Sequence, residues 1–169
     1  MKPLALALAA LLLAALQAAL LRHVGGGAFS LCLLAPLVVH LALGAGNVDG
    51  AVGAAAVGFV LDVTSGTVKG LLTSLAVALF LAARLLGAAV DVRGRVGFAV
   101  LSGAGALGLS AGAVALQRAV ALPEVQPGWA LLPRMIVEAL LTGLAAPLVQ
   151  LGLRRLDALF GAEEPDLIR

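Results

Sequence analysis

The chain has 169 residues, 62% of them hydrophobic and 12% charged, with 11 basic and 9 acidic side chains and a net charge of +2. Its mean hydropathy is +1.13, whereas a soluble domain carries about 25% charged and roughly 45–50% apolar residues. A soluble fold of this size cannot hide so much apolar surface. That excludes a soluble enzyme, a nucleic-acid module and a disulfide-stapled secreted domain. The charges stand singly at the ends of apolar runs, with no basic patch to contact phosphates.

A membrane-spanning helix needs about 20 apolar residues, so the chain has room for at most about six or seven. Six segments are expected. The first is Pro3–Leu21, 19 uncharged residues behind Lys2 and closed by Arg22 and His23. It has the look of a signal peptide but is about 28 Å long as a helix, and it reads as a retained first span. The second is roughly Ala28–Gly46, with Pro36 expected to kink it. Asn47 and Asp49 signal a turn and a helix start. The third segment, Gly50–Thr64, is short for a span and is expected to be tilted, broken or shielded by protein.

The fourth segment, about Gly70–Val90, follows the turn Ser65-Gly66-Thr67, and the fifth is Val96–Leu116. Between Gln117 and Pro133 lies the longest connection, where Trp129 is expected at headgroup level. The sixth segment, Arg134–Leu153, is expected to stop at Arg154-Arg155. The chain therefore divides into one helical membrane domain, residues 1–153, and a short amphipathic and acidic cytoplasmic tail, residues 154–169. Six spans put both termini on one side with Lys2, Arg84, Arg93, Arg95, Arg154, Arg155 and Arg169, leaving Arg22, Lys69, Arg118 and Arg134 opposite. Seven basic residues against four favour cytoplasmic termini.

The densest signal lies in the third segment. Gly50, Ala54, Gly58, Asp62, Gly66 and Gly70 recur every four residues. Small residues at that spacing let helix backbones approach closely, and dispersion contacts then replace the hydrophobic drive that lipid removes. Two uses are open: packing within the chain's own bundle, or docking a second chain's helix. Asp62 is costly within a span; it either caps the following turn and pairs with Lys69 or contacts a partner.

Other residues speak more softly. Arg84, seven residues before Asp91, is expected to snorkel toward that membrane interface, Glu138 to pair with Arg134 four residues earlier, and His40 to hydrogen-bond between helices. Gly108 and Gly112 form a packing pair. Cys32, the single cysteine, has no internal disulfide partner and reads as a small buried hydrophobe. Ser102 and Ser110 have no histidine near them in sequence, and no nucleophile–base pair, nucleotide loop or metal-ligand spacing is present. No catalytic residue, cofactor or metal is expected.

The run Gly53-Ala54-Ala55-Ala56-Val57-Gly58-Phe59-Val60-Leu61-Asp62-Val63-Thr64-Ser65-Gly66, followed by Gly70, resembles the glycine-rich helix, aspartate and Gly-containing turn of the rod-shape-determining membrane protein MreD family. Length, six spans and a short charged tail also match. The resemblance implies a non-enzymatic, multi-pass protein of the bacterial inner membrane. Its partners would be lipid, the single-span protein MreC and other proteins of the elongation machinery that organises lateral peptidoglycan synthesis. It also implies an all-helical fold like the S-components of energy-coupling-factor vitamin transporters, so an S-component is the alternative function. Another alternative is a small proton-coupled transporter using Asp62 or Glu138.

Overall fold

The computed structural model describes residues 32–44, 46–65, 70–89, 94–119 and 128–160, together with Leu12. It is all-helical: α1 (Leu34–Gly44), α2 (Asn47–Ser65), α3 (Leu71–Ala89), α4 (Arg95–Ala119) and α5 (Gly128–Phe160). Three of these helices are long and apolar enough to cross a membrane, over Leu71–Ala88, Arg95–Leu116 and Leu131–Arg155. The first expected segment, Pro3–Leu21, lies outside the described residues apart from Leu12, which is helical.

Several boundaries differ from the sequence reading, each for a local reason. Among the described residues, the second segment is helical over Leu34–Gly44; Cys32 and Leu33 precede that helix. Pro36 consequently sits in the first turn and kinks nothing, because the N–H it lacks would have had no intrahelical partner there. The third segment is one continuous helix of 19 residues, with Asn47 as its first residue and Asp49 in its first turn. Its first backbone bond runs from the Gly50 N–H to the Gly46 carbonyl at 2.9 Å.

The sixth segment extends well beyond both expected ends. Starting at Gly128, α5 contains Pro133 and Pro147 and continues through Arg154 and Arg155 to Phe160. Arginine is a good helix former. The two charges end the apolar span without interrupting the backbone hydrogen bonding.

In the core, α1 is enclosed: Leu34, Ala35, Pro36, Leu37, Val38, Val39, Leu41 and Ala42 are all buried. Around it stand α2, α3, α4 and α5, each touching α1. Ala54 and Val57 of α2, Ala76, Phe80 and Ala83 of α3, Phe98, Leu101, Ala106 and Leu109 of α4, and Ala146 and Leu153 of α5 complete the same apolar cluster.

Glycine sets how closely the helices approach. On α4, a Cβ at Gly103 would stand 3.0 Å from the Ala139 carbonyl oxygen of α5. On α5, one at Gly143 would stand 3.2 Å from the Ala99 carbonyl oxygen of α4. Ala99/Gly103 and Ala139/Gly143 are thus reciprocal small-xxx-small pairs on antiparallel helices. Against α3, the notches at Gly105 and Gly112 receive Leu79 and Leu75. Gly108, expected to share a packing role with Gly112, has nothing within 4 Å of its Cβ position.

Candidate functional site

The end of α2 and the start of α3 form the most highly organised polar feature. α3 begins at a glycine: the Gly70 carbonyl accepts from the Ser74 N–H at 3.0 Å, which makes Gly70 the residue at the helix N-cap. Its φ of +87° is a conformation that a side chain would strain. A glycine at this position supplies no capping oxygen, although the first N–H groups of a helix need acceptors.

Asp62 supplies the acceptor from the preceding helix. Its Oδ1 accepts from the Leu72 N–H at 2.8 Å. Its Oδ2 accepts from the N–H groups of Gly70 and Thr73, both at 3.0 Å, and from the Thr73 hydroxyl at 2.6 Å. An ionised carboxylate is acceptor-only, and four donors suit it. The positive end of the helix dipole adds to the same effect. The side chain is buried, at 4% exposure.

One helical turn before Asp62, Gly58 brings the two backbones together. A Cβ there would lie 2.6 Å from the Thr73 Cα, 2.8 Å from the Leu72 carbonyl oxygen and 3.0 Å from the Ala76 Cβ. Gly58 and Asp62 therefore act on the same first turn of α3, one by making room and the other by accepting hydrogen bonds. Of the remaining stripe residues, Gly50 and Ala54 are buried and Gly70 is exposed. Gly66 and Lys69 lie outside the described residues, and with them the expected ion pair to Asp62. The buried members of the stripe are used inside the chain's own bundle.

A second group of polar side chains lies where α1, α4 and α5 meet. The Cys32 N–H donates to Thr142 Oγ1 at 3.1 Å, tying the start of α1 to the middle of α5. The Ser110 hydroxyl donates to Glu138 Oε2 at 3.2 Å. Glu138 thus bonds across to α4, a link that sequence spacing alone did not reveal. Thr142 and Ser102 are both fully buried, and the Ser102 hydroxyl has no hydrogen-bond partner among the described residues.

Asp91, which marks the interface toward which Arg84 is expected to snorkel, lies outside the described residues; Arg84 reaches α1. Its Nη1 donates to the Ala42 carbonyl at 3.2 Å, near the C-terminus of α1, and its guanidinium lies 6.0 Å from the Phe80 ring centroid. A cation is favourable at that negative end of a helix. Cys32 and His40 are half-buried. Among the described residues, no three His, Cys, Asp or Glu side chains are grouped to hold a metal ion.

What this arrangement does physically is fix helices: among the described residues, each hydrogen bond of Asp62 goes to the chain's own backbone or to the Thr73 hydroxyl. The comparisons give no relatives to set beside this site: no family model, no curated protein and no solved structure matches the chain.

Proposed function

We propose that the chain is a non-enzymatic protein of the bacterial inner membrane that binds an MreC-like single-span protein and helps organise rod shape and lateral peptidoglycan synthesis. The observation that carries this reading is the hairpin of α2 and α3. The residues that bear the resemblance to the MreD family, Gly53 through Gly66 and then Gly70, are those whose described members build the Gly58 contact and the Asp62 cap. These residues serve close packing, which is what a scaffold needs from them. On this reading the chain crosses the membrane six times with both termini in the cytoplasm, in an S-component-like bundle.

The test is co-purification of the tagged, full-length chain from native membranes, with mass spectrometry of what stays bound. An MreC-like protein is the expected result. Recovery of a paired ATPase with a transmembrane scaffold would replace this reading with the vitamin-transporter S-component.

A further inference from the structure

The start of α1 lies at the middle of the three long spans. Ala35 and Leu79 of α3 both pack at the Gly105 position of α4, and the Cys32 N–H is held by Thr142 of α5. Leu79, Gly105 and Thr142 stand close to the midpoints of Leu71–Ala88, Arg95–Leu116 and Leu131–Arg155. The non-helical backbone of Cys32 and Leu33 therefore sits at mid-depth. Inside a membrane such backbone is tolerated only where protein buries it or where it borders a polar space. Half-helix ends of this kind frame ion and solute sites.

Polar side chains converge there. Glu138 is seven residues past Leu131, about 10 Å inside its span. Among the described residues its one hydrogen-bond partner is the Ser110 hydroxyl, and no cationic side chain pairs with it. The carboxylate is close enough to act on the Cys32 sulfur. Thr142 follows Glu138 by four residues and so shares its face of α5. Ser102 adds an independent sign. Its hydroxyl is fully buried and has no partner among the described residues, and a buried hydroxyl in that state calls for a bound water or ion. Ser102 lies about 60° round α4 from Gly105, on the α1 side. Its neighbour Gly103 packs against Ala139 and Gly143 of α5. Ser102 therefore enters the junction of α1, α4 and α5 at the depth of Thr142.

We propose that Glu138 binds a small monovalent metal cation of sodium's size, with the hydroxyls of Ser110 and Thr142 beside it and Ser102 holding a water of its shell. A lone carboxylate within a span is costly. One monovalent ion cancels that charge, whereas a divalent ion would leave a net positive charge in the bundle. Carboxylate and hydroxyl oxygens are hard donors and suit such an ion. The positive end of α1 opposes a cation, but its N–H groups there are occupied. That of Cys32 is on Thr142, and those of Leu34 and Ala35 are on the Cys32 sulfur. Cys32 and Glu138 both stay half-buried at this depth, which leaves surface for water to reach the ion. Such a site needs no MreC-like partner to be filled.

Equilibrium binding of radioactive sodium to the purified full-length chain in detergent tests this, with N-methylglucamine chloride holding the ionic strength constant. The expected result is saturable binding of a single ion per chain, displaced by unlabelled sodium chloride more strongly than by magnesium chloride or methylammonium chloride. Glu138→Gln still offers Ser110 an acceptor, so this variant should fold and should lose saturable binding. Sodium should raise the thermal unfolding midpoint of the unaltered chain and leave that of Glu138→Gln unchanged. Ser110→Ala and Ser102→Ala should each weaken binding severalfold, and they carry the test should Glu138→Gln fail to fold. Absence of saturable sodium binding overturns the proposal, as does equal binding by folded Glu138→Gln or unchanged affinity in both serine variants. Stronger displacement by magnesium or methylammonium than by sodium also overturns it, the latter in favour of an organic ammonium ligand.

Discussion

Asp62 Oδ2 lies 2.6 Å from the Thr73 hydroxyl and 3.0 Å from the Thr73 N–H, so one residue at the start of α3 holds the end of α2 twice. Replacing Asp62 by Ala would strand the N–H groups of Leu72 and Thr73 near the start of α3. Buried donors left without acceptors cost about 1–3 kcal/mol, and losing a helix cap costs about 1 kcal/mol. Asp62→Ala should therefore clearly lower the midpoint of thermal unfolding in detergent. Asp62→Asn keeps one oxygen acceptor and should lose less. Equal behaviour of the two variants would refute the capping role.

Gly58 and Gly108 offer a matched pair of alanine substitutions. At Gly58 the added carbon meets the Thr73 Cα at 2.6 Å, and backbone cannot swing aside as a leucine tip can. At Gly108 nothing stands within 4 Å, and alanine gains about 1 kcal/mol of helix propensity over glycine. Gly58→Ala should reduce folded yield and thermal stability; Gly108→Ala should be neutral or stabilising. Unfolding midpoints of the two single variants, measured side by side in one detergent, decide it.

The stripe was legible in sequence because spacing by four is itself the geometry of a helix face. Asp62 was legible as a cap because a carboxylate followed by Thr64, Ser65 and Gly66 announces a helix end; its target eight to eleven residues onward was not. The Ala99/Gly103 and Ala139/Gly143 seam was hidden, since alanine and glycine occur throughout this chain and only tertiary contact distinguishes Gly103 from Gly108. The Arg84 contact with Ala42, 42 residues earlier, was hidden for a related reason: it depends on where α1 ends. The basic pair at the end of α5 misled because charge reports the membrane edge, whereas helix termination depends on capping and backbone geometry.

The α4–α5 seam predicts a reciprocal sensitivity. Gly103→Val and Gly143→Val each place side-chain carbon against a backbone carbonyl, of Ala139 and Ala99 respectively. Each should weaken the helix pair, and the double variant should cost less than the two single losses added, because the first substitution already separates the seam. Melting curves of the two singles and the double measure this coupling; strict additivity would mean that the two contacts are independent.

Topology gives the last prediction. Ser110 meets Glu138 and Gly103 meets Ala139, so α4 and α5 run antiparallel. Arg95 at the start of α4 therefore shares a side with Arg154 and Arg155 at the far end of α5, while Arg118 and Arg134, all five exposed, share the other. The basic excess falls on the side of the α5 C-terminus, which positive-inside bias assigns to the cytoplasm. A reporter active only outside the cytoplasm should stay silent when fused after Arg169, and should be active when inserted between residues 120 and 127. Replacing Arg154 and Arg155 by alanine reverses the count over these two helices, leaving Arg95 against Arg118 and Arg134, and should raise the C-terminal signal. A strong C-terminal signal from the unaltered chain would reverse the orientation. Silence at both sites would deny that α5 crosses the membrane.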